Sequence, residues 1–214
     1  MKKMKTKLIY FRTPKTASST IVNTIRTSNY TCLYFKGGIP HSGSFEEPLD
    51  CPRNYKNSDF FIIADDTKIT TYNKIIKTLD SDCIIKAFGV CRDPYSKFIS
   101  SVNYCKLSEE KINEIISLDN ITKESCKLSN HDFVHIFIPQ SELIPNVVNL
   151  EVLRYEEFPN YADDFFQNNG FDLKITKYLN EVGKKPITLS SEYIEFVNKH
   201  FIDDFERFNY KIKT

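Results

Sequence analysis

The stretch that decides the fold lies near the amino terminus and reads Leu8-Ile9-Tyr10-Phe11-Arg12-Thr13-Pro14-Lys15-Thr16-Ala17-Ser18-Ser19-Thr20-Ile21-Val22. Its apolar, β-prone beginning predicts a strand over Lys7–Arg12, and Pro14 ends that strand. From Ser18 onwards apolar residues recur at the spacing of one helix face, as Ile21 and Ile25 do. The stretch therefore predicts a strand, a tight loop and a helix, which is the repeating unit of an open α/β sheet.

The rest of the chain continues this alternation. Its patterns predict further strands over Phe60–Ala64, Ile84–Cys91 and Val147–Leu153. They predict helices over Tyr72–Leu79, Tyr95–Cys105, Lys111–Ser117, Tyr161–Asn168 and, as one long element, Tyr193–Phe208. We expect a long loop over 36–58 and an irregular polar segment over 106–135. The expected fold is α/β, a three-layer sandwich around a mostly parallel sheet, in a single domain of residues 1–214.

Composition excludes some classes of partner. The chain has 29 Lys and Arg against 28 Asp and Glu, a net charge of +1. A nucleic-acid or anionic-membrane surface would need a basic excess, so neither partner is expected. No apolar run approaches the roughly 18 residues of a membrane span. The apolar run after the basic start is too short for a signal peptide, so a soluble, cytoplasmic location is favoured.

Cysteine and histidine spacing does not indicate a metal site. The six cysteines are scattered, without a C-x-x-C pair, and we expect mostly free thiols. His131 and His135 are four residues apart, but no third ligand is close in sequence. His200 is expected to pack on its helix.

The loop after the first strand is suited to an anion. The first turn of a helix offers unpaired backbone N–H groups and the positive end of the helix dipole. Lys15 adds a cation, and the small Ala17 lets an anion approach the backbone without glycine. Hydroxyl side chains that can donate to phosphate oxygens are Thr16, Ser18, Ser19 and Thr20. On these residues alone, a Ser/Thr-rich helix cap beside a solvated lysine stays an open alternative.

A second anion-suited segment follows the strand that ends at Cys91. Arg92 stands where that strand emerges, and its guanidinium can grip a phosphate with two hydrogen bonds. Ser100 lies two helical turns further on and can donate to the same anion. Asp93 is expected either to cap the helix or to orient Arg92, and a self-stabilising Arg-Asp-Pro turn is the alternative. Two such loops after two separate strands are more specific than either one.

The first loop is not a Walker A motif. That motif, G-x-x-x-x-G-K-[ST], needs two glycines and a lysine directly before Ser or Thr. The loop here has no glycine, and Lys15 falls early in it. An ATP-dependent kinase that uses magnesium is therefore disfavoured.

Both segments resemble motifs of a known family. Pro14-Lys15-Thr16-Ala17-Ser18-Ser19-Thr20 resembles the 5′-phosphosulfate loop of sulfotransferases that use 3′-phosphoadenosine 5′-phosphosulfate (PAPS). Arg92-Asp93-Pro94, with Lys97 and Ser100, resembles their 3′-phosphate motif. The chain looks closest to the carbohydrate sulfotransferases of the uronyl (heparan sulfate) 2-O type, whose loop reads Arg-x-Pro-Lys-Thr-Ala-Ser. Later blocks in the same order are His135–Gln140, Leu153–Phe158, Asp203–Phe205 and Phe208–Tyr210.

This resemblance implies a P-loop-NTPase-like sulfotransferase fold and a reaction. PAPS would donate its sulfuryl group to an acceptor hydroxyl, in a glycan by preference, without metal and with release of 3′,5′-ADP. Lys15 would stabilise charge on the departing phosphate. The implied PAPS-binding residues are Arg12, Thr13, Lys15, Thr16, Ala17, Ser18, Ser19, Thr20, Arg92 and Ser100. Lys184 and Lys185 lie where the family often has a loop over PAPS, and a solvated charge pair is the alternative.

The general base is where the sequence departs from that family. The 2-O type has a histidine after the second strand, whereas this chain reads Ile63-Ala64-Asp65-Asp66-Thr67. Asp65 or Asp66 is the leading candidate, because a carboxylate at a strand end can accept a proton. A helix-capping role for the pair stays open. Alternatives in the long loop are His41, Glu46 and Glu47. Rival functions are a P-loop-like nucleotide kinase and a nucleotide-binding module that has lost its base.

Overall fold

A computed structural model describes residues 4–36, 39–41, 52–64, 68–79, 83–179 and 188–214. The strands are β1 (Lys5–Phe11), β2 (Cys32–Lys36), β3 (Ile39–His41), β4 (Phe60–Ile63), β5 (Cys83–Cys91) and β6 (Leu150–Arg154). They form one sheet in the order β3-β2-β4-β1-β5-β6. The five strands other than β3 run parallel, and β3 pairs antiparallel with β2. The prediction of an α/β chain with a mostly parallel sheet is confirmed.

Helices follow most of the strands along the chain. They are α1 (Ser18–Arg26), α2 (Pro52–Asn57), α3 (Lys68–Thr78), α4 (Pro94–Cys105), α5 (Glu109–Ile116), α6 (Lys123–Cys126), α7 (Asn130–Phe137), α8 (Gln140–Leu143), α9 (Asn160–Asn168), α10 (Ser191–His200) and α11 (Ile202–Phe208). A 3₁₀ turn over Tyr155–Glu157 follows β6. Among the described helices, none combines the length and the apolar character that crossing a bilayer requires.

Both faces of the sheet are covered, which explains why β1 is apolar at successive positions. Leu8 and Tyr10 join the core cluster of α1 and α9, on one face. Ile9 and Phe11 join the cluster of α2 and α3, on the other face. A separate cluster holds α4, α5, α7, α10 and α11 together. Helices thus flank the sheet on both sides, the arrangement of a three-layer α/β sandwich.

The structure differs from the sequence-based prediction in three segments. Residues 36–58 are not simply a long loop, because β3 and α2 lie within them. Residues 106–135 are largely helical, since short helices there begin at their own hydroxyl caps, Ser108, Thr122 and Ser129. The predicted terminal helix is two helices that divide at Phe201, whose fully buried ring packs against Phe98 of α4 and Phe196 of α10.

Candidate functional site

The topology brings the two predicted anion loops together. β1 lies between β4 and β5, and Phe11 is level with Ile63 on one side and Gly89 on the other. The chain leaves β1 towards β2 but leaves β5 towards β6, in opposite directions across the sheet. Such a reversal at the carboxyl ends of neighbouring parallel strands is where open α/β sheets bind ligands.

The first loop is held in place by buried threonines. Thr13 and Thr16 are fully buried, and their hydroxyl oxygens lie 2.7 Å apart. The Thr13 hydroxyl also donates to the Val90 carbonyl oxygen of β5 at 2.7 Å. These hydroxyls fasten the loop to the neighbouring strand, so they position its backbone.

The backbone on both sides of Thr16 has an unusual conformation. Lys15 has φ 61° and Ala17 has φ 57°, both in the left-handed region although neither is glycine. Left-handed residues next to right-handed ones turn successive N–H groups to one side, which makes an anion-binding concavity. Ala17 caps α1, and no side chain accepts a hydrogen bond at this cap. Among the described residues, the first N–H groups of α1 thus lack side-chain acceptors.

The other hydroxyl residues of this loop have different surroundings. Ser18 is buried, and its Oγ accepts a long hydrogen bond from Arg12 Nε at 3.4 Å. Thr20 is also buried, and its hydroxyl oxygen accepts from the Leu179 N–H at 2.9 Å. Ser19 is partly exposed on the first turn. The Thr20 hydrogen bond therefore holds Leu179 against the first turn of α1, which follows the loop.

Three cations, Arg12, Lys15 and Arg92, lie at these strand ends and form what we call the cationic edge. Arg12 donates from Nη1 to the Tyr34 hydroxyl at 2.8 Å, and its carbonyl oxygen accepts from Lys68 Nζ at 2.8 Å. Arg92 donates from Nη1 to the Lys15 carbonyl oxygen at 3.1 Å, which joins the two loops directly. Within the described ranges, neither arginine nor Lys15 forms an ion pair with a carboxylate.

The environment of Lys15 is both half-buried and positively charged. Its Nζ lies 4.0 Å from the centre of the Tyr104 ring, a cation–π contact with α4. Burial lowers the pKa of Lys15, and the like charge of Arg92 lowers it further. A bound anion would relieve both effects.

Arg92 is held by a buried network. Its guanidinium lies 4.1 Å from the Tyr155 ring centre, and its buried Nε has no hydrogen-bond partner among the described residues. Burial lowers the pKa of Arg92 as well. Gln140, which is fully buried, accepts from the Arg92 N–H and donates to the Arg92 carbonyl oxygen, both at 2.8 Å.

The network continues into the last helix. The buried Asp204 of α11 accepts from the backbone N–H groups of Gln140 at 2.9 Å and Ser141 at 2.7 Å. Its Oδ2 is also 3.2 Å from the Gln140 side-chain nitrogen. A chain of hydrogen bonds thus runs from α11 through Gln140 to the backbone of Arg92. It fixes the position from which the Arg92 side chain extends.

The remaining residues of the second segment divide by role. Asp93 caps α4 by accepting from the Ser96 N–H at 2.9 Å, as one alternative predicted. Ser100 is partly buried, two turns along α4. Lys97 is fully buried, donates to the Ile138 carbonyl oxygen at 2.8 Å, and lies over the Phe201 ring. Burial lowers the pKa of Lys97 to about 8. Lys97 therefore belongs to the helical cluster and not to the cationic edge.

Several predicted residues fall outside the described ranges. These are Asp65, Asp66, Glu46, Glu47, Lys184 and Lys185, together with the side chain of His41. β4 ends at Ile63, whose carbonyl oxygen accepts from the Arg12 N–H at 2.9 Å, so the chain leaves the sheet beside the first loop. In the described part of the chain no group of three His, Cys, Asp or Glu residues could hold a metal ion.

Sequence reasoning missed the aromatic and amide residues of the site. Tyr104 contacts Lys15 and carries no local pattern that marks it. Gln140 and Tyr155 contact Arg92, and although both lie in blocks that resemble the family, the sequence assigns neither of them a role. His135, which begins one of these blocks, stacks its ring on Tyr104 with centroids 5.0 Å apart. No protein-family model matches the chain, and a search of curated proteins gives no match. The function therefore has to be argued from the site itself.

Proposed function

We propose that the protein is a sulfotransferase that moves the sulfuryl group of PAPS to an acceptor hydroxyl, in a carbohydrate by preference, within a P-loop-like sulfotransferase fold. The observation that carries the proposal is the set of cations Arg12, Lys15 and Arg92 at two adjacent strand ends. They have no carboxylate partner in the described ranges, and α1 begins beside them without a side-chain cap. Such an edge is suited to a ligand with several negative charges.

The presence of two anion-suited loops on neighbouring strands favours a ligand with two phosphate positions. The loop of Lys15 would hold the 5′-phosphosulfate against the start of α1, where unpaired N–H groups meet the anion. Arg92, on the next strand, would hold the 3′-phosphate, with Ser100 as a second donor. The absence of a Gly-Lys-Ser/Thr sequence weighs against an ATP-binding P-loop.

The reaction needs positioning and charge stabilisation more than covalent help from the protein. The acceptor oxygen bonds to sulfur, while the bond between sulfur and the 5′-phosphate oxygen breaks and leaves its electron pair on that oxygen. Lys15 would stabilise this developing charge, with Arg12 beside it. Because burial and Arg92 already disfavour the free ammonium of Lys15, the charge that develops on the leaving phosphate is stabilised strongly there.

Calorimetry with 3′,5′-ADP and 5′-ADP tests the donor assignment. We expect 3′,5′-ADP to bind more tightly by about 10- to 100-fold, the range of charged hydrogen bonds to one phosphate. Arg92→Ala should remove most of that difference, whereas Arg26→Ala, at the far end of α1, should keep it. Equal affinity of the wild type for the two nucleotides would refute the assignment of Arg92.

A transfer assay tests the reaction. Labelled sulfate from PAPS should appear on at least one member of a panel of glycans, phenols and small alcohols. A protein that binds 3′,5′-ADP tightly but transfers to none of them would be a binding module. Faster turnover of ATP with magnesium than of PAPS would favour the kinase alternative.

A further inference from the structure

The structure brings a histidine to the lysine of the first loop. His135 of α7 stacks on Tyr104 of α4, with the ring planes 13° apart. Lys15 Nζ lies over the same Tyr104 ring. A single phenol side chain therefore contacts both the imidazole and the ammonium, and the imidazole lies within the cationic edge.

The imidazole of His135 has a buried nitrogen without a partner in the part of the chain that the structure describes. This atom is Nδ1, which forms no hydrogen bond with the described residues. His200 shows the contrasting case, because its Nε2 lies 2.7 Å from the Phe137 carbonyl oxygen and fixes two helices together. Buried polar atoms in proteins are nearly always paired. An unpaired imidazole nitrogen beside a cationic site therefore indicates a function in binding or catalysis.

The groups around His135 keep it neutral. Burial, followed in order by the charges of His131, Lys15, Lys97 and Arg12, lowers its pKa to about 4. His131 itself stacks on His135 at 4.2 Å and lies 3.2 Å from Asp132 on the same helix. At neutral pH the ring therefore has a free electron pair on one nitrogen and can accept a proton.

Resting on the proposed function, we propose that His135 is the general base of the transfer. As the acceptor oxygen bonds to sulfur, its proton passes to the imidazole nitrogen that carries none. The electron pair of the broken bond between sulfur and oxygen stays on the 5′-phosphate beside Lys15. The imidazolium then returns the proton to water.

This arrangement couples donor binding to the strength of the base. A bound anion offsets the charges of Lys15 and Arg12, two of the groups that hold the imidazole neutral. The pKa of His135 should then rise, and the base becomes stronger once the donor is in place. Such coupling would make His135 a stronger base in the donor complex than in the free protein.

His135→Asn is the first test, because Asn keeps most of the shape and cannot take the proton. We expect transfer to slow by about 10²- to 10⁴-fold, the usual contribution of a positioned base. The affinity for 3′,5′-ADP should change less than threefold. The matched control is His131→Asn in the more exposed neighbour, where transfer should fall less than threefold. Wild-type transfer by His135→Asn, with loss in Asp65→Ala or Asp66→Ala, would overturn the inference.

Proton NMR titration of the wild type supplies a readout that does not depend on a variant folding. The His135 ring signal, assigned in the wild type through its nuclear Overhauser contacts with the stacked Tyr104 ring, should titrate at least one pH unit higher with saturating 3′,5′-ADP than without it. A histidine remote from the bound anion would not shift so. An unchanged titration despite tight nucleotide binding overturns the inference alone. Failure of the wild type to bind 3′,5′-ADP overturns the proposed function and this inference with it.

Discussion

The charged side chains at the two ends of β1 have opposite environments. At the amino end, Lys5 Nζ lies 2.6 Å from Asp59 Oδ1 in an ion pair. Next to it, Lys7 is almost fully buried and donates to backbone carbonyl oxygens. At the carboxyl end, Arg12 and Lys15 have no carboxylate within ion-pairing distance in the described part of the chain.

The comparison of the two lysines separates structural from functional charge. Burial lowers the pKa of Lys7 and of Lys15 alike. Lys7 is compensated by the carbonyl oxygens of Lys56 and Ser58, which hold it within the fold. Lys15 contacts an aromatic ring and faces the like charge of Arg92. An uncompensated half-buried cation is expected where a ligand supplies the missing charge.

The largest expected effect comes from breaking the carboxyl end. Lys15→Ala should slow sulfuryl transfer by about 10²- to 10³-fold, because it removes a cation aimed at the leaving phosphate. The free energy of unfolding should stay equal or rise, since an uncompensated charge is lost. Steady-state transfer and urea unfolding of the same sample measure the two effects. Transfer by this variant at the wild-type rate would contradict the role of Lys15.

Asp204→Asn should have the next largest effect, through the support of Arg92. An amide nitrogen would replace either Oδ2, which accepts the backbone and side-chain N–H groups of Gln140, or Oδ1, which accepts the Ser141 N–H. Leaving such buried donors unpaired costs about 1–3 kcal/mol each, so we expect a loss of unfolding free energy in this range. The preference for 3′,5′-ADP over 5′-ADP should fall by a few-fold as Arg92 loosens. Full stability with full nucleotide preference would contradict the network.

Lys7→Met tests the amino end of β1. Unlike Lys15→Ala, it should lower stability and leave the function of the site unchanged. The carbonyl oxygens of Lys56 and Ser58 would lose the Lys7 ammonium, which should lower the free energy of unfolding by about 1–3 kcal/mol. The affinity for 3′,5′-ADP should not change, because this end of the strand is remote from the loops. Chemical unfolding and calorimetry check the two parts, and weakened nucleotide binding would abolish the contrast between the ends.

The pH dependence of binding sharpens the comparison further. A bound anion favours the charged form of Lys15, whose pKa lies below its ordinary 10.5 in the free protein. The affinity for 3′,5′-ADP should therefore fall as pH rises through that lowered pKa, earlier than an ordinary lysine would cause. Lys15→Arg keeps the charge at every accessible pH, so its affinity should stay flat over the same range. Parallel curves for the two proteins would mean that another group controls the dependence.

How far the sequence predicts the site depends on the distance between partners along the chain. The loop of Lys15 was readable because its cation, hydroxyls and helix start are consecutive. The hydrogen bonds that support Arg92 cannot be predicted in this way, because Gln140 lies 48 residues away and only the fold brings the two residues together. Of the sheet, the sequence predicts β1, β4, β5 and β6, but it does not predict the short strands β2 and β3. The stack of His135 on Tyr104 likewise depends on how α7 packs against α4.

The smallest expected effect concerns backbone strain, which the described part of β1 and its loops shows only at the carboxyl end. Left-handed backbone costs an L-residue roughly 1–2 kcal/mol, and glycine avoids this but loses more entropy on folding. Ala17→Gly should therefore raise the free energy of unfolding by about 0.5–1 kcal/mol, measured in urea. The control Ala162→Gly, buried within the right-handed helix α9, should lower it.

The nucleotide affinity of Ala17→Gly then shows whether the left-handed backbone at Ala17 serves binding. Glycine keeps the same N–H direction in the folded loop, so Ala17→Gly should bind 3′,5′-ADP with nearly wild-type affinity. In that case the left-handed geometry is a consequence of how the buried threonines fasten the loop. A variant that is more stable but binds several-fold more weakly would show that Ala17 holds the loop open for its anion. The strain would then be a cost of function, like the uncompensated charge of Lys15 two residues earlier.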